Sequence, residues 1–361
     1  MHMADALLAP AVAATMYAAS GTAAVLSVKT LTQDENTQKL PTMAVASALV
    51  FAGQMINYTI PGTGSSGHLC GGMLLSALLG PQAGFLSMIV VLTIQCLFFA
   101  DGGLMALGAN IWNMAFYGCF IGYYLIWRPI MKSSLFGKME PRKAQRAKII
   151  AASLIGCIVT LQMGAFSVVL ETTLSGITAL PFGAFCALMQ PIHLAIGLVE
   201  GLITAAVLTY VYETRPELIR DVDLIAQSSA GRSSKPLGVV IFTLAALAIL
   251  TGGVFSHFAS GNPDGLEWAL FGNEEAGYSA NMGLDEDNFG VRSQAAEAAA
   301  SLQEKTSVLP DYAFANSESP MGTTVSGIAG SAMVAAAALA ICLAGRFFRK
   351  KKPEDLDPAV K

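Results

Sequence analysis

The sequence predicts an all-α polytopic membrane protein, a seven-helix bundle followed by a two-helix membrane domain. Three observations lead there. Hydrophobic residues make up 54% of the 361 residues and charged residues 13%, against about 25% charged in soluble domains. Apolar runs of about 20 residues recur along the chain, each long enough to cross a hydrocarbon core as a helix. The charges gather in the segments between those runs.

The first run covers Leu7–Val28 and the second Pro41–Ile60. A Gly-rich stretch, Pro61–Gly67, leads into a short apolar run, His68–Gly80, which Gly80-Pro81 interrupts. Gln82–Ala100, Leu104–Trp127, Ile149–Leu170 and Phe182–Tyr212 complete the seven. Residues Glu213–Pro236 are polar and end in Gly231-Arg232-Ser233-Ser234-Lys235-Pro236, the composition of a linker. Two further runs follow, Leu237–Phe258 and Thr323–Gly345. The expected domains are therefore 1–212, a cytoplasmic linker 213–236, and 237–361. The stretch between the last two runs is Ala/Glu-rich over Ser293–Lys305, as an exposed helix or an unstructured segment would be.

Basic residues orient the set. Arg128–Lys148 holds seven basic residues and one acidic, and the tail after Gly345 opens Arg346-Phe347-Phe348-Arg349-Lys350-Lys351-Lys352. With both on the cytoplasmic side of a cell membrane, the amino terminus lies outside, provided His68–Gly80 crosses as a short helix. Ser260–Met321, with eleven acidic and two basic residues, then also lies outside. The net charge of −4 averages loops of opposite sign and gives no reason to invoke nucleic acid. The six cysteines lie in apolar stretches without a CxxC, as packing residues do. No basic residue precedes Leu7, so a cleaved signal peptide is not expected.

Chemistry is concentrated at the amino terminus. A free amine at Met1, the His2 backbone nitrogen and the His2 imidazole Nδ1 can close a five-membered and a six-membered ring on one metal ion. A tetragonal nitrogen set suits Ni(II) or Cu(II), and Co(II) less strictly. His68 follows Gly62-Thr63-Gly64-Ser65-Ser66-Gly67, which lets the chain turn tightly and approach another segment, and it supplies a fourth nitrogen. Polar residues inside apolar runs are costly and are usually paired or functional. Gln54 and Asn57, and likewise Asn110 and Asn113, sit three apart on one helix face. They are the candidates to hold the ligands in place, with helix–helix hydrogen bonding as the alternative. Asp101 ends a run, and His193 and Glu200 share a face of the seventh; the last two are assigned to structure, at a depth far from Met1. Ligands must shed protons to bind, so uptake is expected to fail below about pH 6.5, the ordinary imidazole value.

A hydrolase reading competes. Gly64-Ser65-Ser66-Gly67 has the form of the nucleophile loop of rhomboid-like intramembrane serine proteases, with His193 as base. The same loop matches GxGxxG, but it follows a membrane run and not a strand, so a nucleotide site is not expected, and the chain has no GxxxxGK[ST].

Several ordered blocks resemble the CbiM/NikM substrate-binding components of energy-coupling-factor transporters. They are Met1-His2-Met3-Ala4-Asp5, Phe51-Ala52-Gly53-Gln54-Met55-Ile56-Asn57-Tyr58, Ser66-Gly67-His68-Leu69-Cys70-Gly71-Gly72, and Asp101-Gly102-Gly103-Leu104 with Leu107-Gly108-Ala109-Asn110 and Asn113-Met114. Gly197–Ala206 and Arg215-Pro216-Glu217-Leu218 resemble that family's last helix, and Pro263-Asp264-Gly265-Leu266-Glu267-Trp268 is similar to the PDGLE signature of NikN-type proteins. The resemblance implies Ni2+ or Co2+ as cargo, with the Met1 amine, both His2 nitrogens and His68 as ligands. It implies a CbiQ/NikQ-type transmembrane coupling protein and a CbiO/NikO-type ABC ATPase as partners, so that this chain is a transport subunit and not an enzyme, without a permanent cofactor. The cargo would supply cobalamin synthesis or nickel enzymes, and the two-run block would assist loading or assembly. Ala6 departs from the family's Gly at that place, which bears on how the terminus folds in.

Overall fold

The computed structural model describes residues 2–31, 40–177, 180–223, 236–278, 284, 289–314, 319 and 321–347. Met1 lies outside them. Among them, five helices are long and apolar enough to cross a membrane.

A short 3-10 turn, Asp5–Leu7, precedes α1, Pro10–Leu31. Then come α2, Leu40–Gln54, the hairpin strands β1, Tyr58–Ile60, and β2, Ser65–Gly67, and α3, Gly72–Leu79. Helix α4 spans Pro81–Phe99; α5, Leu107–Ile111, runs on as a π-helical stretch, Trp112–Trp127, into α6, Arg128–Lys132. The long pair α7, Pro141–Leu174, and α8, Phe182–Thr214, closes the first block. The second block has α9, Leu237–Gly253, α10, Gly265–Phe271, α11, Gln294–Thr306, and α12, Met321–Phe347.

Two expected boundaries move. The second apolar run leaves the helix after Gln54, because Tyr58-Thr59-Ile60 prefers extended backbone and Pro61-Gly62 turns it back. Gln54 and Asn57 therefore do not share a helix face. His68 does not open a helix either; it lies in the irregular residues between β2 and α3. At eight residues, α3 is about 12 Å long and fully buried. Its far end is met by Arg220, whose backbone N–H donates to Ala77 O and whose guanidinium donates to Leu79 O. Residues 68–71 and α3 together thus join the end of the bundle bearing His68 to the end bearing Arg220.

Close packing follows from small residues at contacts. Along α8, Gly197 and Gly201 let α7 approach, with Ile158 Cα and Leu154 Cα each 2.8 Å from where a Cβ would stand. Helix α1 crosses α5 at Gly108: a Cβ there would lie 2.6 Å from Tyr17 N, and Ser20 Oγ donates to Gly108 O at 2.7 Å. Helix α7 starts on Pro141, with the Glu140 side chain accepting from the backbone N–H groups of Arg142 and Lys143. The α9 and α12 helices pack against α2, where Phe51 is buried beside Val334. The five described cysteine thiols are free, as expected of packing residues.

Gly108→Val should prise α1 from α5. Overpacking of this kind costs about 1–3 kcal/mol, and thermal unfolding in detergent should show a lower midpoint than the native chain and weaker retention of metal.

Candidate metal centre

The amino-terminal segment is threaded into the end of the bundle. Asn110 clamps Met3 at both backbone groups: Met3 N donates to Asn110 Oδ1 at 2.7 Å, and Asn110 Nδ2 donates to Met3 O at 3.2 Å. Gly103 N also donates to Met3 O. Asp5 Oδ1 accepts from Ala106 N at 2.9 Å. Met3, Leu7 and Leu8 are buried. Gly102 makes room for the segment: at φ +80°, a Cβ would stand 2.8 Å from Asn110 Nδ2 and 3.2 Å from His2 Cβ.

This threading lays the His2 ring on that of His68, centroids 5.2 Å apart and planes 19° apart. His68 Nδ1 lies 3.0 Å from Leu69 O, so one ring proton belongs there, and Nε2 faces Asp264. His2 Nδ1 lies 3.0 Å from Asp101 Oδ1, while His2 Nε2 is buried without a partner. Tyr312 donates to Asp101 Oδ2 at 2.5 Å, fixing that carboxylate in turn.

The loop bearing His68 is held from behind. The Glu200 carboxylate accepts from Cys70 N at 2.8 Å and Gly71 N at 2.9 Å, and Gln54 Nε2 donates to Cys70 O at 2.7 Å. Glu200 therefore positions the loop and does not pair with His193. The assignment of His193 to a place remote from the site also changes. It lines a small void together with His68 and Asp264, its Nδ1 bonds Met189 O at 2.8 Å, and its Nε2 has no partner. The residues between β2 and α3 bring His68 to the His193 end of that void.

The polar residues picked from the sequence divide. Gln54, Asn57 and His68 line one cavity with His2, and Asn110 stands immediately behind Met3. Asn113 is a step further back, with Nδ2 2.8 Å from Glu171 Oε2 and 3.6 Å from Met3 Sδ. Asp101 and Asp264 also belong to the site. Asp101 is among the polar residues singled out from the sequence, at a run's end beside two glycines, whereas nothing in the spacing joins Asp264 to His68. Among the described residues, no group of three or more His, Cys, Asp and Glu side chains holds metal-binding geometry. The hydrolase pair is not assembled: Ser66 is fully buried, its hydroxyl donates to Asn262 O at 2.8 Å, and His193 Nδ1 is taken by Met189.

The second block roofs the site. Ser66 N donates to Pro263 O, Ser260 N to Asn57 O and Val291 N to Ala6 O. Gln303 Nε2 donates to Gly102 O at 2.7 Å and Cys96 O at 2.9 Å. Ala6, the residue that departs from the resemblance, is thus a backbone contact of the roof. Asp264 caps α10, its Oδ1 accepting from Leu266 N and Glu267 N, and its Oδ2 lies 3.8 Å from His68 Nε2.

Residues 2–218 match the family described as the cobalt uptake substrate-specific transmembrane region, CbiM, and residues 238–346 match the PDGLE domain. The chain belongs to the CbiM family. It is 33% identical to a fused nickel transport protein NikMN of Archaeoglobus fulgidus over 94% of this chain and 98% of that one. It is 32% identical to the fused nickel transport protein NikMN of Rhodobacter capsulatus, over 61% of this chain and 64% of that one. A crystal structure titled as a truncated transition metal transporter superposes with a TM-score of 0.50 at 32% identity, covering 59% of this chain and 99% of that one. This family member is a membrane protein of transition-metal transport.

Charge and burial set the protonation of the site. Burial lowers the His2 imidazole to about 4, against an opposing pull from Asp101. Burial alone would raise Asp264, but neighbouring positive charge and its contact with His68 hold it well below the usual carboxylate range. Burial, and then the charge of Asp264, raises Glu267.

Two outcomes follow. Asn110→Ala removes both bonds to Met3 and leaves a buried N–H unsatisfied, at a cost of about 1–3 kcal/mol; metal affinity, read by isothermal titration, should fall about 10–100-fold. Acid stability is the second. Below pH 6.5 the unfolded chain protonates His2, while the folded site refuses the proton until about pH 4. Stability therefore falls through that window and levels off beneath it, by up to about 3 kcal/mol. The His2→Gln chain should lack this component when thermal midpoints of the two are compared between pH 7 and 4.

Proposed function

We propose that this chain is the substrate-binding subunit of an ATP-driven energy-coupling-factor importer for Ni2+ or Co2+. The observation that supports it best is the clamped amino terminus that lays the His2 ring against that of His68. In this reading the ligands are the Met1 amine, the His2 backbone and imidazole nitrogens, and His68 Nε2. Met1, outside the described residues, enters through chelate geometry and the family resemblance.

The residues present suit that chemistry. Two imidazoles and two chain nitrogens form a nitrogen-only set, which favours planar Ni(II). His68 meets an ion with its Nδ1 proton already placed on Leu69 O, the usual way of orienting a ligating imidazole. His2 Nδ1 closes the six-membered ring only if the imidazole turns over about Cβ–Cγ, exchanging Asp101 for the ion. Forming the chelate releases protons from the amine and, where it ligates, the amide, so loading is opposed by acid. With the imidazole itself lowered to about 4, pH sensitivity between 7 and 5 comes from those chain nitrogens and not from His2.

Transport needs partners. The chain carries no P-loop sequence, and ATP hydrolysis is assigned to a CbiO/NikO-type ABC ATPase, coupled through a CbiQ/NikQ-type membrane protein. The site faces outward, with the amino terminus outside a cell membrane and the basic tail inside. ATP-driven reorientation of the bundle then presents the ion to the cytoplasm.

The test is metal content of the purified chain beside His2→Ala, His68→Ala and a variant with one residue added before Met1. About one ion per native chain and loss of tight binding in all three variants is the expected outcome. Equal binding by the extended variant would remove the chelate.

A further inference from the structure

The cavity between the two blocks is larger than a chelated ion needs. Its volume is about 480 Å³, and carboxylates face it from both sides. Asp5 and Asp101 belong to the first block, and Asp264, Glu267 and Asp311 to the second. Two buried polar atoms on its wall have no partner: His2 Nε2, on a side chain 8% exposed, and Gln54 Oε1, on a residue 5% exposed. Buried polar atoms of native proteins are almost always satisfied, by protein or by ordered water. Acidic walls with orphaned nitrogen and oxygen atoms match a cation that arrives with its own water shell. Its coordinated waters donate to carboxylates and carbonyl oxygens, and imidazole nitrogen accepts from them.

We propose that this cavity is a second binding site, an outer station that holds the hydrated divalent transition-metal ion before the amino-terminal nitrogens take it. The inference rests on the reading of the chain as an Ni2+ or Co2+ carrier. Asp264 stands at the inner edge of the station. Its Oδ1 is committed to the α10 cap and its Oδ2 lies 3.8 Å from His68 Nε2, so it is the last carboxylate an ion meets before a nitrogen ligand. The charges of the second block thereby act on the rate of capture, and the nitrogens of the first on its final affinity. A cleft lined by one sign of charge typically raises the on-rate of an opposite charge by about 10–1,000-fold, and salt removes the effect.

The experiment uses the full chain with Co2+ as probe. Loading is followed by stopped-flow absorbance, and binding at equilibrium by titration, for the native chain, the double variant Glu267→Gln/Asp311→Asn, His2→Ala, and the combination. Both changed side chains line the cavity and neither touches His2 or His68. The double variant should load about tenfold more slowly at low salt, with tight stoichiometry unchanged. The His2→Ala chain should keep a weak Co2+ site with the spectrum of a six-oxygen ion, and the combined variant should lose it. Native loading rates in the double variant, loss of its tight site with the fold intact, or no weak site in His2→Ala would each overturn the station. A native chain without tight binding but with the carboxylate-dependent weak site would overturn the chelate reading and leave the station standing.

Discussion

The two hydrogen bonds between Asn110 and the Met3 backbone are the constraint on which the rest depends. A chain end is ordinarily the most mobile part of a domain. Here it is pinned inside a bundle whose interior supplies no water to satisfy it. An amide side chain solves the problem, because it offers one donor and one acceptor at the spacing of a peptide group. Gly102 makes space for it, Asp5 anchors the next turn on Ala106 N, and Leu7 and Leu8 bury the chain behind it. Only with the terminus fixed this way do the rings of His2 and His68 come to stack.

The roof is the second consequence. Backbone pairing of Pro263 with Ser66 and Val291 with Ala6, and the Gln303 side chain donating to Gly102 O, turn two sequence blocks into one surface over the terminus. These are contacts to backbone, so they tolerate changes of side chain such as Ala6. They also bring Asp264 to His68 from nearly two hundred positions away in the sequence.

Much of the fold was legible because membrane crossing imposes length and apolarity, and those are visible in any window of sequence. The apolar runs at Gln82–Ala100 and Phe182–Tyr212 match helices in the structure closely. The hairpin 58–67 was not, since three-residue strands inside an apolar setting have no period to read. His2 and His68 stood out as histidines beside backbone-permissive sequence. Asn110 was legible as a costly polar residue, though not its grip on Met3. Asp264 and Asp101 were seen only as a motif letter and a run's end, and His193 was judged by depth along a straight helix. In each case the missing fact was a long-range approach, which residue spacing does not encode.

In the proposed reading, one ion sits in a planar set of chain and imidazole nitrogens at the amino terminus. X-ray absorption at the nickel edge of the nickel-loaded full chain addresses it directly. The expected spectrum is that of four-coordinate planar nickel, with a nitrogen shell and imidazole scattering. A six-coordinate, oxygen-dominated spectrum at one tightly bound ion per chain would contradict it and move the cargo from the nitrogens to the carboxylates around them.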